Sequence, residues 1–222
     1  MHDNHFQLMR DAMIDSQLRP SGVNDRAIIR AMATVPREEF VPASRTEVAY
    51  ADRSVPLGDE RYLAPPVALG RLLTKAEPRA TDRALIIGAG TGYSAAVLAH
   101  VVAHVTALES DGNLLEAART RLSGKAHGQL GDIELVDGPL TDGHAPGAPY
   151  DLILIDGAVE DVPDTIAAQL ADGGRLVCGL VDNGLTRLAI ARKRGDVVRP
   201  VAFEDNEVPV LAGFSRAKAF QF

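Results

Sequence analysis

Residues Ala84 to Tyr93 read ALIIGAGTGY: four apolar residues run straight into Gly88-Ala89-Gly90-Thr91-Gly92, and an alanine-rich helical pattern follows from Tyr93 to His100. A short apolar run bounded by glycines suits a strand buried in a parallel sheet. Glycines at alternate positions let the chain turn sharply and bring bare backbone against a ligand at the N-terminus of the next helix. The stretch therefore reads as strand, cofactor loop and helix, the opening unit of an α/β fold.

The spacing separates two cofactor classes. A dinucleotide loop reads G-x-G-x-x-G, with backbone amides receiving a pyrophosphate. Here the third glycine arrives one position early, at Gly92, and bulky Tyr93 follows. That G-x-G-x-G pattern resembles the first motif of class I S-adenosyl-L-methionine-dependent methyltransferases. Two acids extend the pattern. His104 to Glu109 (HVTALE) reads as the next strand, and an acid at its carboxyl end can accept from both ribose hydroxyls. Asp137-Gly138 follows the apolar strand Ile133 to Val136, where an Asp can reach the adenine edge and a glycine makes room for the base. Taken alone, Glu109 also reads as a strand-end carboxylate and Asp137-Gly138 as a plain turn. The cofactor-binding candidates are Gly88, Ala89, Gly90, Gly92 and Tyr93 on the loop, Glu109 with Ser110, and Asp137 with Gly138.

Composition narrows the class. The 222 residues suit one substantial domain, and 46% hydrophobic content supplies a core. A net charge of −7 disfavours nucleic acid as a partner, since such proteins present a basic face. No apolar stretch approaches a membrane span and the first residues do not read as a signal peptide, so a cytoplasmic protein without a membrane partner is expected. The lone Cys178 excludes an internal disulfide and sits in an apolar run as a small buried hydrophobe. His100 and His104 lie four apart but lack a third ligand, so no metal is expected.

The first ninety residues differ in texture from the rest. Phe6 to Leu18 carries apolar residues at helical spacing and stops at Arg19-Pro20-Ser21-Gly22. Asn24 is placed to cap a second helix through Val35, and Pro36 to Leu63 is irregular. Pro65-Pro66 opens a third helix through Lys75. From Arg83 strands are expected near 84–87, 104–109, 132–136, 150–155 and 174–181, with helices near 93–102, 111–122 and 163–170. This alternation implies a doubly wound, mostly parallel sheet covered on both faces. Leu185 to Arg194 and Val197 to Phe203, joined at Gly195-Asp196, read as an antiparallel hairpin, and Val208 to Phe214 as a last strand. Residues 1–80 are expected to form a helical and irregular cover, part of the same domain as a core over 81–222.

Further strings carry a more specific resemblance. Ala31 to Pro42 (AMATVPREEFVP), Glu47 to Gly58 (EVAYADRSVPLG), Tyr93 to Ala99 (YSAAVLA) and Pro163 to Leu170 (PDTIAAQL) with Gly173-Gly174 beyond are similar to protein-L-isoaspartate (D-aspartate) O-methyltransferases. The resemblance spans roughly residues 8–212. It implies a methyl transfer from S-adenosyl-L-methionine to a carboxylate, best an isoaspartyl residue in damaged protein. It also implies that the N-terminal layer covers the cofactor and that the acceptor lies beside Arg61, Tyr62, Leu63 and Ala64.

Three departures from that family's pattern stand out. Arg61-Tyr62-Leu63-Ala64-Pro65 replaces a threonine–isoleucine–serine string whose hydroxyls are thought to meet the acceptor. Ile86 stands where the family has a first-strand acid. Asp156 ends the fourth core strand, in Ile153 to Ala158, where the family tends to be uncharged. A carboxylate acceptor is ionised at neutral pH and needs no general base, but it wants donors or positive charge nearby. Arg61 can supply that charge or be an exposed loop arginine. Asp156, the candidate catalytic group, has three readings: a structural strand-end acid, a cofactor or acceptor contact, or a general base or metal ligand. The alternatives to isoaspartyl methylation are a different small-molecule or protein acceptor at a remodelled site, and a non-catalytic cofactor-binding protein.

Overall fold

The computed structural model describes residues 2–58, 60–123 and 131–214, so the last eight residues of the expected core lie outside it. Strands β3 (Arg83–Ile87), β4 (His104–Glu109), β5 (Asp132–Asp137), β6 (Tyr150–Val159), β7 (Leu170–Asp182), β8 (Leu185–Arg192) and β9 (Val201–Asp205) form one sheet in the order β5-β4-β3-β6-β7-β8-β9. The first five neighbours pair in parallel, while β8 and β9 add antiparallel to β7. The doubly wound, mostly parallel sheet expected from the strand–helix alternation is present. Helices α4 (Tyr93–Leu98), α5 (Gly112–Leu122) and the short α6 (Asp164–Ala168) are its crossover elements.

The central strands are buried on both faces, and successive side chains point alternately to one face and the other. Ala84 and Ile86 of β3, with Leu152 and Leu154 of β6, join one apolar cluster; Leu85, Ile87, Ile153 and Ile155 join the other. The first cluster also contains Met13, Leu18, Ile28, Met32 and Phe40 from the N-terminal layer. That layer comprises α1 (His2–Met13), which continues as a π-helical turn over Ile14–Leu18, then α2 (Arg26–Thr34) and α3 (Pro66–Ala76). Ile86 therefore faces packed hydrocarbon, and its apolar character suits the place.

Several local expectations need correction. Asp25, not Asn24, caps α2, its Oδ1 accepting from Ala27 N at 2.9 Å and Ile28 N at 3.0 Å. Within the stretch read as irregular, β1 (Val55–Gly58) and β2 (Arg61–Leu63) pair antiparallel in a two-stranded sheet of their own. The antiparallel hairpin expected over Leu185 to Arg194 and Val197 to Phe203 is present as β8 and β9, and the β7–β8 connection adds a tight hairpin at Asn183 and Gly184, both with positive φ. Val208 to Phe214 makes a single bridge, Ala158 to Val210, rather than a strand. Pro209 lacks an N–H for a ladder, so only its carbonyl (from Ala158 N, 2.7 Å) and Leu211 N (to Ala158 O, 2.8 Å) tie this segment to β6.

The order of strands reverses between β3 and β6. Crevices at such switch points, beyond the carboxyl ends of the strands, are the usual ligand sites of open α/β sheets. Both the glycine loop and Asp156 lie there, because Ile87 and Ile155 are partners in register and each immediately precedes one of them.

Candidate cofactor and acceptor site

Gly88, Gly90 and Gly92 have φ of +81°, +56° and +95°, values that L side chains rarely adopt. A Cβ at Gly88 would meet Leu211 Cδ1 at 3.1 Å and Arg61 Nη2 at 3.2 Å, and one at Gly90 would meet Leu57 Cδ1 at 3.2 Å. The loop amides point inward. Gly88 N and Ala89 N both donate to Leu108 O, at 2.9 and 3.0 Å, and Gly92 N donates to Ala89 O at 2.9 Å. Gly90 N donates to Glu109 Oε2 at 2.7 Å. With four amides committed, the loop is poorly equipped to cradle a pyrophosphate. It still presents bare backbone to a ligand lacking one, so its residues fit S-adenosyl-L-methionine better than a dinucleotide.

Glu109 is fully buried at the end of β4, and its carboxylate accepts five hydrogen bonds. Three come from nearby backbone: Gly90 N, Ser110 N at 2.8 Å and Asp111 N at 3.1 Å. The other two come from Arg61, Nη1 to Oε1 at 2.5 Å and Nη2 to Oε2 at 2.8 Å, a bidentate pair reached across the crevice from β2. Nothing in the local sequence announces this contact, since the two residues are 48 positions apart. Asp137 is Glu109's register partner on β5 and is exposed, and Gly138 N donates to Glu109 O at 3.2 Å. Glu109, Ser110, Asp137 and Gly138 thus lie together at the carboxyl ends of adjacent strands.

Other expected site residues are placed differently. The Tyr93 ring is buried edge-on against Phe40, with ring centroids 5.5 Å apart, and Arg37 lies over it at 4.8 Å. Its side chain is core, not a loop-side contact. Of the four residues expected beside an acceptor, Leu63 and Ala64 are buried, and Arg61 is engaged with Glu109. Tyr62 alone faces open space, 43% exposed, in a cleft of about 440 Å³ lined also by Ser54, Glu60, Glu207 and the segment Val208 to Val210.

Arg37 escaped the sequence reading of candidate residues. It is fully buried and donates from Nε to Ala49 O at 2.6 Å and from Nη2 to Ala64 O at 2.5 Å, so it clamps the acceptor-side segment to the N-terminal layer. Its place in the string PREEF was the available signal. Asp156 keeps some exposure at the crevice, yet burial of its carboxyl raises its pKa above the ordinary value. Ser94 and the charges of Arg61 and Arg37 oppose that rise, and Glu109 adds to it. Ser94 is felt electrostatically without reaching bonding geometry: its Oγ, like Arg37 Nη1 and Tyr93 OH, is buried with no well-formed hydrogen bond. Among the described residues no cluster of three or more His, Cys, Asp or Glu is arranged for a metal, and no helix is long and apolar enough to cross a membrane. His104 instead bonds Asp132 at 2.9 Å.

Comparison with known proteins agrees with this architecture. Residues 9–208 match the family model described as protein-L-isoaspartate(D-aspartate) O-methyltransferase. A Koribacter versatilis protein-L-isoaspartate O-methyltransferase is 37% identical over 96% of this chain and 96% of its own length. A Methylorubrum populi relative of the same name is 37% identical over 94% of this chain and 97% of its own. Among solved structures, a protein-L-isoaspartate O-methyltransferase superposes with a TM-score of 0.78 at 24% identity, covering 93% of this chain and 67% of that one. A Plasmodium falciparum protein solved with S-adenosyl-L-homocysteine gives 0.76 at 16% identity, covering 91% of this chain and 97% of its own. The fold is that of a class I methyltransferase, and the chain belongs to the protein-L-isoaspartate(D-aspartate) O-methyltransferase family.

Proposed function

We infer that this chain methylates the free α-carboxylate of isoaspartyl residues in protein or peptide, using S-adenosyl-L-methionine. The observation that carries the reading is the near-complete match to relatives of that name, 37% identical over 96% of both chains. The crevice geometry supports the cofactor class, because a loop with committed amides sits beside a buried carboxylate at the switch point.

When bound, S-adenosyl-L-methionine supplies an electrophilic sulfonium methyl. The chain's own work is to hold and align. Gly88, Ala89, Gly90 and Gly92 allow close backbone approach, with Tyr93 supporting the loop from the core side. With the cofactor bound, Glu109, with Ser110 beside it, would receive the ribose hydroxyls, and Asp137 with Gly138 would border the adenine. The segment Arg61 to Ala64 flanks the acceptor, with Tyr62 the side chain facing the cleft.

An isoaspartyl carboxylate is already ionised at neutral pH, so no base is needed to take a proton. Positioning and exclusion of water are what remain for the protein to supply. Asp156 serves here as a contact at the acceptor side. Burial opposes its ionisation, which softens its repulsion toward an anion.

The test is methyl transfer from labelled cofactor to an isoaspartyl peptide beside its normal aspartyl counterpart. Base-labile methyl ester on the isoaspartyl peptide alone is expected. Labelling of both peptides equally, or of neither by a protein that binds the cofactor, would overturn the reading.

A further inference from the structure

The Glu109 carboxylate cannot hold Arg61 and a ribose together. A carboxylate offers about four lone-pair directions, and Glu109 already accepts five N–H donors. The three backbone donors belong to the loop and the strand end and are fixed by the fold. The two guanidinium donors come from a hairpin outside the main sheet, and they are the ones that can leave. A ribose cis-diol would bring the same number of donors to the same acceptor. The guanidinium also covers the bare face of the loop, its Nη2 lying 3.2 Å from where a Gly88 Cβ would stand.

The residue next to Arg61 on β2 is Tyr62, which lines the cleft of about 440 Å³. The charged residues in that cleft's lining are Glu60 and Glu207, both acidic. As it stands, the cleft repels an acceptor carboxylate. Among its described lining residues none brings the positive charge that an anionic acceptor needs, and Arg61 is the cation next to Tyr62 on β2.

We propose that Arg61 exchanges partners: the cofactor's ribose displaces it from Glu109, and the freed guanidinium then pairs with the carboxylate of the acceptor. The inference rests on the methyltransferase reading given above. It makes Arg61 a substrate-binding residue only in the cofactor-loaded protein, so acceptor affinity depends on prior cofactor binding. By linkage the acceptor favours cofactor binding to the same degree.

The test uses the full chain and S-adenosyl-L-homocysteine, which cannot react. Calorimetry of Arg61→Ala should show binding about ten- to a hundredfold tighter than wild type, since no charged hydrogen bonds compete for Glu109. Unchanged or weaker binding overturns the exchange. A second measurement does not depend on that variant's folding. The chain has no tryptophan, so Tyr62→Trp places a lone reporter on β2. Its emission should shift as S-adenosyl-L-homocysteine is added, and calorimetric binding without a shift overturns the exchange. An isoaspartyl peptide should bind the loaded wild type at least about tenfold more tightly than the free protein, and Arg61→Ala should lose that difference. Absence of S-adenosyl-L-homocysteine binding in wild type and Arg61→Ala alike would instead overturn the underlying cofactor reading.

Discussion

Replacing Arg37 with methionine tests how the N-terminal layer holds the acceptor side. The guanidinium is fully buried, and its two short bonds end on the carbonyls of Ala49 and Ala64. Each charged hydrogen bond contributes roughly 1.5–3 kcal/mol net, so about 3–6 kcal/mol of bonding is at stake. Methionine regains part of this by removing a buried cation that burial already disfavours, and by filling similar volume beside Tyr93. The carbonyls left behind tip the balance, and a net loss of about 3 kcal/mol is expected. For a chain of this size that lowers Tm by roughly 6–12 °C. Differential scanning calorimetry reads the shift. Arg37→Lys, which reaches one carbonyl at a time, should fall between the two. The freed Ala64 carbonyl should also raise KM for an isoaspartyl peptide while S-adenosyl-L-homocysteine affinity holds. A methionine variant melting within about 2 °C of wild type, with KM unchanged, would refute the clamp.

Two further outcomes follow from burial. Asp156 has a folded-state pKa above its unfolded value, so it binds its proton more tightly when folded, and stability is lost as pH rises through the folded pKa. Asp156→Asn should therefore be more stable than wild type at pH 7 in urea melts, with the advantage gone below about pH 4; a destabilised variant at neutral pH would contradict this. We propose that residues 1–80 and the core fold as one unit, because Met13, Ile28, Met32 and Phe40 share an apolar cluster with Ile86 and Leu154. A chain beginning near Thr81 should then aggregate or melt without cooperativity, whereas a sharp melt would show an independent core.

The sheet was legible because its evidence is local. Apolar runs such as Leu85 to Ile87 and Ile153 to Ile155, each followed by a glycine or an acid, mark buried parallel strands and their carboxyl ends. Asn183-Gly184, which joins β7 to β8, is as local a hairpin signal as Gly195-Asp196, across which the expected β8–β9 pair forms. Gly195-Asp196 turns the chain, with Arg194 and Val197 bonded to each other, and β9 begins only after Pro200. Val208 to Phe214 has the apolar character of a strand and lacks a donor at Pro209, so hydrophobicity alone misled.

The arrangement of the candidate site was less legible, for a different reason. Glycine spacing and strand-end acids indicated Gly88 to Gly92, Glu109 and Asp137, which the fold brings to one crevice. That Arg61 pairs with Glu109 and Arg37 grips Ala64 depends on how the N-terminal layer folds over the sheet, and no periodicity encodes such contacts.

Calorimetric titration with S-adenosyl-L-homocysteine and, separately, NAD probes the crevice most directly. Wild type should bind the former and not the latter. Glu109→Ala should weaken S-adenosyl-L-homocysteine binding by about 1–3 kcal/mol through loss of the ribose's charged acceptor. Tight NAD binding with none to S-adenosyl-L-homocysteine would contradict a methyl-donor crevice outright.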